Sequence, residues 1–184
     1  MSTISKLVYA VVFQAGWFVC IMAGTLSALL YTLVFLTFHF WFLLHKNAKV
    51  YISKEILWVA VISSFGLGIE IIFFSCGLLY SETRSALFSP LSLPPLWLFC
   101  IWIMFSLALR TCLAFLFTNS TIGYLSCLIF APINYYAGAE LNSDVFLAEP
   151  YPLSLILITL LWLLFLWCST CLKRRYFEEL FNAN

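Results

Sequence analysis

Charge is what this sequence has least of. Lys and Arg number 9 and Asp and Glu 8 among 184 residues, so charged side chains make up 9% of the chain, against roughly 25% in soluble domains. That is too few ionic groups to cover a water-facing globule. With a net charge of +1 there is no field to recruit nucleic acid. A Walker loop, a GxGxxG turn, a G-x-S-x-G elbow and an H-E-x-x-H helix are all missing, and with them the sequence support for the chemistries those motifs carry. No pair of intramembrane aspartates points to an aspartyl protease, and no acidic cluster points to a metal-dependent lipid transferase. Low-complexity tracts, long linkers and a soluble domain are lacking too.

Apolar residues make up 64% of the chain, against a soluble norm near 45–50%, so lipid is the expected solvent for most of it. Lys6 followed by an apolar stretch imitates a signal peptide. The stretch runs on to Leu44 with no polar mature domain behind it, and is read as retained. As one helix Leu7–Leu44 would be about 57 Å long, too long for one crossing of a roughly 30 Å core. It must fold back, and Gly24-Thr25 is the natural turn. The expectation is a single domain over 1–184, an all-α integral membrane protein with a bundle of six transmembrane helices. Their approximate bounds are 7–23, 26–44, 56–79, 95–117, 121–138 and 153–172. Pro94-Pro95 opens the fourth, where a missing N–H costs nothing. Asn119-Ser120-Thr121 forms a turn and N-cap for the fifth, and Lys173-Arg174-Arg175 ends the sixth.

An even number of spans puts both termini on one side. That side holds Lys6, Lys46, Lys49, Lys54, Lys173, Arg174 and Arg175, whereas the other holds Arg84 with Glu82, Glu140, Asp144 and Glu149. The bias predicts both ends inside. Tyr80, Trp97, Tyr135, Tyr136 and Tyr151 near the outer ends, with Trp58, Trp167 and Tyr176 near the inner ends, read as two aromatic belts.

Polar residues within the spans are the candidate site, because a charge near the bilayer centre costs at least about 2.5–3.5 kcal/mol and usually faces the bundle with a partner. Glu70 and Arg110 come first. Their Cα depths differ by roughly 9 Å at 1.5 Å per residue, barely within reach of long side chains. The readings are a structural ion pair, a proton, ion or headgroup site, or Arg110 snorkelling to the inner headgroups. Gln14, at about the depth of Arg110, reads as helix-bridging glue or a ligand contact, and His39 as a packing residue or a proton relay. Ser63, Gly66, Glu70 and Gly77 share a stripe on the third helix. Ser106, Arg110 and Ala114 share one on the fourth, and Gly123, Cys127, Ala131, Asn134 and Gly138 one on the fifth. Small residues permit close helix contact in lipid, so these three helices are expected at the centre. The Leu- and Trp-rich sixth, with Ser154 and Thr159, is expected outermost.

Of the seven cysteines, Cys168 and Cys171 form a CxxC without the second pair that a structural zinc site uses, so no metal or cofactor is expected. A bridge among Cys20, Cys76 and Cys100, all near outer ends, stays open.

Gln14-Ala15-Gly16-Trp17, Glu70, Pro95-Leu96-Trp97-Leu98 with Trp102, and Pro132 through Tyr136-Ala137-Gly138 resemble a bacterial family of multi-pass membrane proteins known as DUF2878. The resemblance covers most of the chain. It implies a protein of the bacterial inner membrane and carries no activity with it. This chain departs from the family in having Glu70 where an Asp stands and Arg110 where a small polar residue stands.

Three functions follow as expectations. One is a membrane component that binds or moves a small molecule or lipid through a polar site of Glu70, Arg110, Gln14, His39 and Asn134. Another is a non-catalytic subunit or assembly factor packing against a membrane-protein partner. The third is a lipid-modifying enzyme using Glu70 or His39 as base, with the short loops counting against it.

Overall fold

The computed structural model describes residues 2–45, 51–81 and 93–182. Lys46, Lys49, Glu82, Arg84 and Pro90, which entered the topology reading, lie outside the described residues.

The long N-terminal apolar run folds into α1 (Thr3–Met22) and α2 (Gly24–His45). Ser2 caps α1 by accepting from the Ser5 N–H at 3.2 Å. The reversal leaves only Ala23 between the helices; Gly24, which opens α2, has φ +78°, a backbone that side chains with a Cβ rarely adopt, and Thr25, expected in the turn, is already in α2. α3 covers Ile52–Ser75 and starts a turn earlier than its apolar run indicates. Gly77 follows it at φ +72°, with open space where a Cβ would stand. Its place on the packing stripe is therefore corrected: it turns the chain and seats no neighbouring helix.

α4 spans Leu96–Arg110, stopping well short of 117. After Arg110 the backbone unwinds, with the Thr111 and Leu113 N–H groups both reaching the Ala108 carbonyl. A 3₁₀ turn at Ala114–Phe117 leads into α5 (Ser120–Leu141), which Asn119 caps through the Ile122 N–H at 3.2 Å. α6 is Tyr151–Leu172. The basic triplet does not end it: a π-turn at Lys173–Phe177 and α7 (Glu178–Asn182) continue the chain. Two short strands, β1 (Leu79–Ser81) and β2 (Val145–Leu147), pair antiparallel with Tyr80 opposite Phe146, which amends an all-α reading. Among the described residues four helical segments, Thr3–Met22, Gly24–His45, Ile52–Ser75 and Tyr151–Asn182, are long and apolar enough to cross a membrane.

α4 is the hub. It packs against α1, α2 and α3 and buries Trp97, Leu98, Cys100, Trp102, Met104, Leu107, Ala108 and Leu109. A helix enclosed on all sides is apolar all round. α6 packs on α5 and α3, burying Ile158, Phe165 and Leu166. The expected centre of α3, α4 and α5 is therefore corrected. The outer element is α5, whose Leu125, Leu128, Ile129, Phe130 and Ile133 face outward. Its small stripe of Gly123, Cys127 and Ala131 receives α6 and the 3₁₀ turn, since a Cβ at Gly123 would meet the Leu116 carbonyl and Leu166. Gly66 on α3 is the tightest seat, with the Trp102 indole filling the volume of a Cβ.

The aromatic belts are thinner than the sequence indicates. Tyr80, Tyr136, Tyr151, Trp167 and Tyr176 are exposed, but Trp58 and Trp97 are core residues. The Trp58 N–H donates to the Ser106 carbonyl at 2.9 Å, deep between α3 and α4.

Candidate functional site

α3 and α4 run antiparallel, and their register separates the polar residues into two groups. Trp58 meets Ser106 and Gly66 meets Trp102, so Arg110 lies beside the start of α3, near Glu55, and far from Glu70. Glu70 and Arg110 do not pair. Arg110 Nε lies 3.3 Å from Glu55 Oε2. Glu55 reads as a loop residue from its Lys54 neighbour, yet it is inside α3 and 1% exposed.

Glu55 anchors the first group. Its Oε1 is 3.1 Å from His39 Nε2, and His39 Nδ1 is 2.8 Å from the Tyr9 hydroxyl. A carboxylate only accepts, so Nε2 carries the proton shared with Glu55; in a neutral ring Nδ1 then accepts from Tyr9. The Phe181 ring sits 5.0 Å from the Arg110 guanidinium carbon, within cation–π range. α1, α2, α3 and α4 each contribute one polar side chain, all of them buried. The arrangement ties four helices together. Tyr9, absent from the sequence-level candidates, has no signal beyond its depth in α1.

Glu70 anchors the second. It is 1% exposed. Its Oε1 accepts from the Trp102 indole N–H at 3.1 Å and from the Tyr135 hydroxyl, while Oε2 has no hydrogen-bond partner. The Trp102 and Trp162 rings stack at 5.1 Å, and Tyr135 stands edge-on to Trp162 at 6.2 Å. The Trp162 N–H is buried without a hydrogen-bond partner. Tyr135 is thus a ligand of the buried carboxyl instead of a belt residue, and only its distance from the helix end suggested otherwise.

Glu70 lines a cavity of about 490 Å³ between α1, α4, α5 and α6, within the usual size of small-molecule sites. Its wall is almost wholly apolar. Gln14 on α1 and Asn134 on α5 add amides, and both are exposed on the flank where these two helices part. At the opposite end Asn142 closes the gap, donating to the Ile21 carbonyl at 2.7 Å and accepting from the Asp144 and Val145 N–H groups. Of the sequence-level site residues, Glu70, Gln14 and Asn134 come together on this cavity, with Ala131 and Gly138 in its wall. His39 and Arg110 belong to the other group, and Ser63 is buried in α3.

Cys168 and Cys171 are free thiols, as are Cys20, Cys76 and Cys100. Among the described residues no group of His, Cys, Asp and Glu is placed to hold a metal ion. A family model described as "Protein of unknown function (DUF2878)" matches residues 6–168. No curated protein and no solved structure matches.

Proposed function

The chain belongs to the DUF2878 family, whose description leaves the activity open, and from that premise we propose that it is a membrane component that takes a small apolar molecule or lipid from the bilayer into its cavity. The reading rests on one observation: a buried carboxyl with an unpartnered oxygen stands in an apolar cavity of about 490 Å³. Such a group is costly in lipid and calls for a partner. An occupant that set its polar atom against Glu70 Oε2 would supply one. The entry route is lateral, past Gln14 and Asn134, so the ligand never has to leave the membrane. Among the described residues of the cavity wall no Ser or Cys nucleophile is hydrogen-bonded to a base, which sets the lipid-modifying reading behind this one.

Six crossings with both termini inside a bacterial inner membrane complete the proposal. Basic residues flank α1, α3 and α6 at the end where Glu55 and Arg110 lie, in keeping with the positive-inside bias. Reporter fusions should place residue 50 and the C-terminus together and residue 143 opposite. Fusions that separated residue 50 from the C-terminus would break this topology. The binding reading is tested by Ala131→Phe, which fills the cavity from α5. It should abolish the rise in melting temperature that single-chain amphiphiles give the wild-type protein in lipid nanodiscs. Equal stabilisation of both proteins would overturn it.

A further inference from the structure

The two buried glutamates of α3 are the same residue type on one helix, and they differ in their partners. Glu55 has Arg110 at 3.3 Å and His39 at 3.1 Å. Glu70 has two neutral donors on one oxygen and none on the other. Among the described residues no Lys, Arg or His lines its cavity, and Glu70 is the one carboxyl there. Aromatic rings surround it: Trp102, Tyr135, Trp162, Phe105 and Phe165 all line the wall, and Phe105 lies 5.4 Å from Trp162.

We infer that the ligand is a lipophilic cation, an amine or quaternary ammonium on an apolar body, with its positive charge at Glu70. This deepens, and rests on, the reading of the cavity as a ligand site. Two features select that charge. A carboxylate desolvated without a cationic side chain gains most from a ligand that brings the missing charge. Indole and phenol rings attract cations over their faces, more strongly when water is excluded. The same wall rejects anionic heads such as phosphate or a fatty-acid carboxylate, because it offers them a like charge and no basic partner. A neutral alcohol could donate to Oε2 but would leave the carboxylate charge uncompensated and the ring faces unused. Trp102 and Tyr135 both occupy Oε1, which leaves the buried, unpartnered Oε2 as the atom free to take the ligand's charge.

The test uses three probes of equal chain length, decyltrimethylammonium, decanol and decanoate, and reads the melting temperature of the protein in nanodiscs against probe concentration. Ala131→Phe is the blank for partition into the bilayer. The expected result is half-maximal stabilisation by the ammonium at a concentration at least tenfold below that of the alcohol, with decanoate matching the blank. Glu70→Gln should erase the ammonium preference and keep the response to decanol. If decanol equals or beats the ammonium in the wild-type protein, the cation is wrong, while the cavity reading survives so long as Ala131→Phe still abolishes the response. If no probe separates wild type from Ala131→Phe, both fall. The wild-type ranking decides between these outcomes even if Glu70→Gln does not fold.

Discussion

Glu55 and Glu70 stand on the same helix about 22 Å apart along its axis, each 1% exposed, and only Glu55 has a cationic side chain against it among the described residues. The first is an internal clamp. The second is held by neutral donors at the wall of an apolar cavity. The contrast separates residues that keep the bundle together from those available to a ligand.

Removing one partner of the clamp should be severe. Arg110→Ala leaves Glu55 buried with its charge uncompensated, and breaking such a pair costs about 3–5 kcal/mol. The double substitution Glu55→Leu with Arg110→Met should recover much of that loss, because it removes both charges together. Heating in detergent followed by size-exclusion chromatography reads both. A double variant as unstable as Arg110→Ala would contradict the assignment.

Gly66→Ala places a methyl group inside the volume of the Trp102 indole. Overpacking of this kind costs about 1–3 kcal/mol, and moving Trp102 loosens its bond to Glu70. Gly68→Ala, two residues on with open space beside it, is the control and should be neutral or slightly stabilising. The comparison is made on melting temperature and on ammonium binding; a tolerant Gly66 would mean that α3 and α4 are less closely seated than described.

Asn142 joins the end of α1, the end of α5 and the start of β2 through three hydrogen bonds. Asn142→Leu orphans the Ile21 carbonyl and two backbone N–H groups, at about 1–3 kcal/mol for each one left buried and unpaired. The gap between α1 and α5 should then open at both ends. Amide exchange near Ile21 and Val145 should speed up, and unchanged protection there would argue that Asn142 is dispensable.

The segment after Leu172 covers the Glu55–Arg110 clamp, with Phe177 and Leu180 buried and the Phe181 ring over Arg110. Leu180→Ala should cost about 2–5 kcal/mol, as for other buried leucines. At the surface Lys54 pairs with Glu179 and, by its hydrogen bond and charge, holds that carboxyl below its ordinary value. An acid so depressed lends stability above the usual carboxylate range and loses it as pH falls through its lowered value. Proteolysis of the tail should therefore quicken modestly in acid, and Lys54→Ala should blunt that dependence. A tail cleaved equally fast with and without Leu180 would show it to be undocked.

Much of the plan was legible because lipid imposes length and polarity rules. The reversal near Gly24, the Asn119 cap and the place of Glu70 within a long apolar helix follow from apolar run lengths and capping chemistry. Partner choice was not legible. Depth alone leaves Glu70 and Arg110 within reach of each other; the register of α3 against α4 sets Arg110 beside Glu55 instead. Glu55 was hidden by its exposed neighbour Lys54, although it shares a helical stripe with Ile62, Gly66 and Phe73. Trp102 and Tyr135 were read for their apolar bulk, while the site depends on an indole N–H and a phenol O–H. The tail offered a signal that went unused: Phe177, Leu180 and Phe181 recur at three- and four-residue spacing beyond the basic triplet.

Where α4 gives way after Arg110, the succeeding residues Cys112, Leu113, Phe115 and Leu116 line the inner end of the cavity. Non-helical backbone survives at membrane depth only when protein or a cavity shields it, so this floor rests on a few local turns instead of a continuous ladder. With an amphiphile bound as proposed, this floor would meet the tail, while the head would lie at Glu70 on α3, held from α4 by Trp102.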